Sequence, residues 1–435
     1  MKVGLYLFEN DCRLSDNPAL TKLASLVDTL ICIYLPSVNL WTARKAQCST
    51  SFAVECYRNQ TLNALHQSLT SQQQKLYILR DTTHLKALTE IIHTQQITHI
   101  GRAAHPGFDE QKLWLKLQDK FPHIQYISAY SSTLFEPEIL PLKISELPPS
   151  FTPFRKAVEE IEPNPPIATA ILPPRPNQVA DLTEFKTNVP YSVKVPAGEA
   201  QAQQQLQQYF QTDAALTYKE TRSALFGEHF STRFSPILAS GAISPKQIKQ
   251  ALTQFEQQRG ANESTYWIWF ELLWREYFHW YAFKHQQNLF YFSSVKAKTP
   301  KTSFYPERFL KWCQGQTPSA LVNAIMHELT KTGWISNRAR QIAASYFVNE
   351  LQLDWRCGAA FFEQHLIDYD VAANWGNWQY IAGVGADPRG GRHFNIKKQQ
   401  ELFDPDSKYI KLWQGEASSQ LDSYDYVGWP LENNE

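Results

Sequence analysis

The sequence predicts two domains of different kind: an α/β domain at the N-terminus and an all-helical domain at the C-terminus. Three observations carry that prediction. Short β-rich runs alternate with helical runs through the first 130 residues, and thirteen of the twenty-five prolines fall between residues 130 and 196. Eleven of the thirteen tryptophans lie beyond residue 266, in a stretch with helical spacing. The reading is therefore α/β plus all-α: an N-terminal parallel (Rossmann-like) domain over 1–130, a long Pro-rich linker over 131–199, and a C-terminal all-helical domain over 200–435.

Each element follows from local pattern. Val3–Phe8, Leu30–Leu35, Lys75–Leu79, Ile97–Gly101 and Ile124–Ile127 are apolar, β-branched or aromatic runs of strand length. Pro18–Leu26, Ser51–Leu69, His84–Thr94 and Asp109–Lys120 carry helical periodicity between them. Strand–helix alternation argues for a parallel sheet covered on both faces. Yet the first strand-to-helix turn, Glu9 to Asp16, has no glycine, so the GxGxxG turn that lets a pyrophosphate approach a helix N-terminus is absent. The linker holds Pro148-Pro149, Pro165-Pro166 and Pro173-Pro174, which exclude long helices and favour an extended tether over the surface. From Ala200 onward apolar residues recur at i, i+3, i+4, and the Gln-rich stretches 201–210 and 247–258 are solvated faces of amphipathic helices.

Formal net charge is zero, so a polyanion would have to meet a local basic patch. The six cysteines show no CxxC spacing and no Cys/His cluster. They read as reduced thiols, with a Cys48–Cys56 disulfide as the weaker alternative. No apolar run reaches the ~18 residues of a membrane helix, and the opening residues read as a strand with no charged leader. A cytoplasmic protein without membrane association is expected.

Four constellations carry chemistry. Tyr218-Lys-Glu-Thr-Arg222 precedes Phe230-Ser-Thr-Arg-Phe-Ser-Pro236, where Ser231, Thr232 and Ser235 lead into a helix with proline in its first turn. Hydroxyls and helix-terminal amides suit a pyrophosphate; an ordinary helix cap is the competing explanation. Glu271, Trp274, Arg275 and Phe278 share one helix face, and the surrounding Trp267, Trp269, Phe270, Leu272 and Leu273 make that helix apolar almost all round. A carboxylate and an indole there suit a cavity better than a wet surface, though an i,i+4 Glu271–Arg275 salt pair is the plainer account. Asn337, Arg340 and Gln341 share another face, and Asp368 and Asp370 lie two apart before Val371-Ala-Ala-Asn374. Arg340 with Asp368 reads as a structural ion pair. The two aspartates have no third ligand at suitable spacing, so no metal is expected. Trp355 and Trp378 are either packing or redox-active indoles.

These residues resemble the photolyase/cryptochrome family, and specifically its DASH branch. The resemblance covers nearly the whole chain. It rests on Phe8 to Leu20, Thr133-Leu-Phe-Glu-Pro137 through Phe151-Thr-Pro-Phe-Arg-Lys156, Trp274-Arg-Glu-Tyr-Phe278, Ser336-Asn-Arg-Ala-Arg-Gln341 and Asn374-Trp-Gly-Asn-Trp-Gln-Tyr380. It implies that the helical domain binds FAD, with Tyr218, Ser231, Thr232 and Ser235 at the phosphates and ribose. Arg340 and Asp368 would pair beside the flavin ring, Asp370 and Asn374 would hydrogen-bond it, and Asn337 would face N5. An amide at N5 favours fully reduced anionic flavin.

The resemblance further implies light-driven repair of cyclobutane pyrimidine dimers, preferentially in single-stranded DNA, with RNA or looped duplex left open as partners. Glu271, Trp274, Arg338, Gln341, Tyr380 and Arg392 would serve the lesion. Arg389, Lys397 and Lys398 would join Arg338 and Arg392 in a backbone-contacting patch. A monomer is expected. The alternative function is a blue-light photoreceptor that binds nucleic acid or a protein without repairing it. Neither the histidine of (6-4) enzymes nor the four helical-domain cysteines of iron–sulfur relatives is present.

Three departures stand out. The family's third electron-transfer tryptophan, after Trp378 and Trp355, falls at Thr302, with Tyr305 nearby as a detour. The stretch Gly101 to Glu110 lacks the glutamate-rich pattern that holds methenyltetrahydrofolate, which counts against that antenna without excluding it. Glu9 stands where the family's opening motif has an arginine.

Overall fold

A computed structural model of the protein describes residues 1–36, 50–79, 84–179, 182–186, 193–227, 230–296, 299–418 and 421–422. The chain divides into two compact units: 1–219 with 232–286 and 367–372, and 220–231 with 287–366 and 373–435.

The first unit opens with strand β1 (Val3–Phe8), helix α1 (Pro18–Ala24), β2 (Thr29–Tyr34), α2 (Phe52–Ser71), β3 (Leu76–Ile78), α3 (His84–Thr94), β4 (His99–Ala103), α4 (Phe108–Lys120) and β5 (Gln125–Ala129). These five strands pair in parallel in the order β5-β4-β1-β2-β3. Every residue of β1 is buried, as expected where helices cover both faces. Its side chains alternate: Tyr6 and Phe8 join a cluster with Leu20, Leu23, Leu62 and Leu65, while Leu5 and Leu7 join another with Leu88, Ile91 and Leu117. The observed strands and helices lie within a residue or two of the sequence reading.

The Pro-rich segment is more than a tether. It forms α5 (Phe151–Val158) and then β6 (Thr183–Glu184), which adds an antiparallel edge to β3. Ala170, Leu172 and Phe185 are buried in one of the sheet's cores. Proline cannot donate, but its carbonyl can accept: Leu30 N–H donates to Pro174 O at 3.0 Å.

The glycine-free first turn is organised from within. Asp11 accepts from Tyr6 Oη (2.6 Å) and Asn17 Nδ2 (3.0 Å), and the fully buried Arg13 donates to the Asp16, Ser131 and Gly241 carbonyls. Helix α6 (Glu199–Gln211) sends the Glu199 carboxylate to the Leu14 and Ser15 N–H groups at 2.9 and 3.0 Å. An anion therefore does sit on this turn, and it is the chain's own. Gly241 packs so tightly here that a Cβ would lie 2.1 Å from Asn10 O, at φ +69°.

Beyond α6 come α7 (Tyr218–Thr221), α8 (Ser235–Ala239), α9 (Pro245–Arg259) and α10 (Glu263–His285). Helix α10 starts on a reciprocal cap between Asn262 and Thr265 and buries residues all round its circumference, as its composition foretells. The second unit contains α11 (Pro306–Cys313), α12 (Ala320–Thr332), α13 (Asn337–Asn349), α14 (Trp355–His365), most of α15 (Val371–Ala382), α16 (Ile396–Phe403) and α17 (Lys408–Leu412). Its core includes an aromatic nest of Trp312, Phe347, Phe362 and Trp378. Cys56 is a free, buried thiol, and Cys48 lies outside the described residues.

Candidate functional site

The predicted site residues fall in both units, each with its own local architecture. In the first unit, buried Tyr218 begins α7, and Thr232 and Ser235 lead into α8. Just ahead of α8, Gln205 Nε2 donates to the carbonyls of Thr232 (3.2 Å) and Arg233 (3.0 Å). Arg233 sits at φ +51°, so this turn bends through the left-handed region.

On α10, Glu271 and Trp274 are half-buried. The Trp274 ring stacks on Phe151 of α5, with centroids 3.8 Å apart and planes at 16°, and on Phe278 at 5.4 Å. Arg275 pairs with Asp370 (Nη2 to Oδ2, 3.5 Å), and His279 Nε2 stands 2.7 Å from the same oxygen. Burial pushes the His279 imidazole below its ordinary value while Asp370 pulls it up, which favours the neutral ring. A neutral ring that donates to this carboxylate does so from Nε2. Asp368 is 6% exposed. Next along α10, the fully buried Glu276 accepts from Leu134 N, Phe135 N and Trp280 Nε1. Burial raises its carboxyl to about 7, its donors opposing that shift.

In the second unit, Asn337 is the first residue of α13, behind the Ser336 cap. Arg338 lies over Phe403 (4.8 Å) and Phe394 (5.8 Å) and donates to Ser223 Oγ. Arg340 donates through Nε and Nη2 to Ile335 O, and Gln341 is half-buried one residue on. On α15, Asn374 donates to Ala359 O at 3.0 Å. Trp378 fits over Gly358, where a Cβ would come within 2.2 Å of the indole.

Tyr380 accepts from Arg392 Nη2 at 2.6 Å. Arg392 in turn lies 3.7 Å from Asp387, whose buried carboxylate accepts from Arg389 N and Gly391 N. Arg389, Lys397 and Lys398 are exposed. Trp355 is buried, donates to Phe292 O, and meets Trp375 edge-on at 5.8 Å; Trp378 meets Phe362, Phe347 and Trp312. Thr302 precedes Ser303, whose backbone pairs with residues 352–354 just before Trp355. Tyr305 is 44% exposed, under the Arg308 guanidinium.

Sequence reasoning missed His279, Ser132 and Asp387. His279 could have been found, because it follows Arg275 by one helical turn on the face already singled out. Nothing local in the sequence marks Ser132 as its neighbour.

Known proteins share this build. Residues 4–174 match the family described as DNA photolyase, and residues 267–435 match the FAD binding domain of DNA photolyase, so the class is that of photolyase-type flavoproteins. A cryptochrome DASH of Vibrio parahaemolyticus is 46% identical over 99% of this chain and 97% of its own length. One of Idiomarina loihiensis is 45% identical over 99% and 97%. The crystal structure of a Synechocystis cryptochrome superposes with TM-score 0.86 at 31% identity, covering 99% of this chain and 94% of that one. The chain belongs to the photolyase/cryptochrome family, in its DASH-type branch.

FAD is the cofactor. Within the first unit, the hydroxyls of Thr232 and Ser235 and the Asp370 carboxylate, which His279 meets at 2.7 Å, are groups whose chemistry suits such a ligand. Among the described residues no helix is long and apolar enough to cross a membrane.

Proposed function

We propose that this protein is a light-driven lyase that splits cyclobutane pyrimidine dimers, preferentially in single-stranded DNA. The observation that carries this reading is the half-buried Trp274, stacked on Phe151 three residues along α10 from Glu271. An indole held by neighbouring rings is a stacking surface for the two linked bases of a flipped lesion, and a carboxylate beside it can accept from a base edge. Bound, reduced and excited by light, FAD would supply the single electron that opens the dimer and take it back once the ring has split.

The chain's residues then divide the work. Tyr218, Ser231, Thr232 and Ser235 would hold the phosphates and ribose; Arg340 and Asp368 would flank the ring; Asp370 and Asn374 would bond its edge; Asn337 would meet N5. Arg338, Gln341, Tyr380 and Arg392 would line the substrate side. Tyr380 is tied to a guanidinium, which makes that side polar and less able to offset the few kcal/mol of flipping a base from a duplex. Exposed Arg389, Lys397 and Lys398 would contact phosphates, with affinity that falls as salt rises. Trp378 and Trp355 would relay electrons inward during photoreduction. A monomer working in the cytoplasm suits this role.

The test is illumination of the reduced protein with UV-damaged single- and double-stranded oligonucleotides. Repair of the single strand in preference to the duplex is expected. Repair of neither would sink the lyase reading in favour of a photoreceptor. Glu271→Ala should keep FAD and lose repair by about tenfold or more, the scale of one hydrogen bond to a charged group.

A further inference from the structure

In an open α/β sheet, ligands collect where the strand order reverses. Here that point lies between β1 and β4, and among the described residues a small cavity of about 20 Å³ lies there, lined by apolar and polar side chains. Glu9 and Asn10 line it after β1, His105 after β4, and Ser132, His279 and Asp370 close it. Such a space admits about one or two waters and no organic ligand.

The side chains at its inner end form a chain of contacts. Ser132 Oγ is 3.5 Å from His279 Nδ1, and His279 Nε2 is 2.7 Å from Asp370 Oδ2. Arg275 reaches that same oxygen at 3.5 Å, and its Nη1 donates to the Ser132 carbonyl. Arg275 supplies a countercharge to Asp370. His279 is 2% exposed, and Arg275 and His105 both oppose its protonation. What a neutral imidazole adds is direction: a short hydrogen bond at 2.7 Å orients the carboxylate more sharply than the ion pair at 3.5 Å.

We propose that His279 is a positioning residue for FAD: seated between Ser132 and Asp370, it fixes the carboxylate that receives the edge of the flavin ring. This rests on the reading of Asp370 as a ring partner. The arrangement parallels the way metal-bound ligands are oriented by a second hydrogen-bonded partner, here turned on an organic cofactor.

The experiment uses deflavinated full-length protein and measures FAD affinity by fluorescence quenching, then the two-electron midpoint potential of the reconstituted protein. Variants are His279→Leu, His279→Gln and Asp370→Ala. His279→Leu should weaken FAD by about tenfold and shift the potential, while His279→Gln, whose amide can still donate, should restore both. If Asp370→Ala weakens FAD but His279→Leu does not, or if Gln and Leu behave alike, the positioning role is overturned and the ring-partner reading stands. If Asp370→Ala leaves FAD affinity and potential unchanged, the ring-partner reading itself fails. Nitrogen NMR of histidine-labelled wild-type protein decides the matter should a variant not fold. A neutral His279 protonated on Nε2 is required, and an Nδ1-protonated ring overturns the proposal.

Discussion

Asp370 and Asp387 are two aspartates that each anchor an arginine, and they are built in opposite ways. Asp370 draws its donors from α10, with His279 ninety-one residues away in sequence. Asp387 is held by its own loop, through Arg389 N at 3.1 Å and Gly391 N at 3.0 Å, before it meets Arg392. The first carboxylate is oriented by tertiary structure and exists only in the assembled unit. The second is an Asx-type turn whose geometry is written into Asp-Pro-Arg-Gly-Gly. A group placed by side chains is costly to disturb; one placed by main-chain amides tolerates change around it.

That contrast can be broken at several points. Arg275→Leu strands the Asp370 charge beside a neutral histidine and should cost about 3–5 kcal/mol in urea unfolding, with partial recovery in an Arg275→Leu/Asp370→Leu double variant. A loss under 1 kcal/mol would mean that water already solvates the carboxylate. Glu276 sharpens the comparison, because it is distant in sequence from its partners yet accepts chiefly main-chain amides. Its folded carboxyl is raised from 4.5 to about 7, so the stability it contributes is complete below pH 4.5 and is lost as pH climbs to 7. That shift corresponds to about 3 kcal/mol. The stability of wild type relative to Glu276→Gln should therefore fall over that window, and equal slopes would refute the assignment.

Asp387→Ala should cost only about 1–2 kcal/mol and weaken damaged single-strand binding several-fold, leaving the flavin spectrum intact. A changed spectrum would show that the loop reaches beyond its own unit. Smallest of all, Gly390→Ala faces φ +83° with open space around the new Cβ, so backbone strain of about 1 kcal/mol is the whole expected effect on the unfolding midpoint.

The same contrast explains what the sequence made legible. The strands, their order of appearance and α10 followed from short apolar runs of strand length and helical spacing, signals that are local. The edge strand β6 did not, because Thr183-Glu184 is two residues long and gains its identity only from pairing with β3. Trp274 was legible as an indole on an apolar helix, but its support by Phe151 was not, since that contact joins α10 to a short helix in a proline-rich stretch. His279 was in plain sight on the right face; its meaning required knowing where Asp370 lies.

Glu199 has a consequence of a thermodynamic kind. In proteins that bind a nucleotide at the first strand-to-helix turn, the stability of that region rises with ligand concentration by mass action. Here the anion at Leu14 and Ser15 is tethered to α6 and cannot dissociate into solution. The turn is permanently saturated, so its folding equilibrium is uncoupled from cellular phosphate and nucleotide pools. Removing the carboxylate would restore that coupling: Glu199→Ala should unfold more easily and regain part of the loss in formate or acetate, as a site once closed to titration becomes a titratable one.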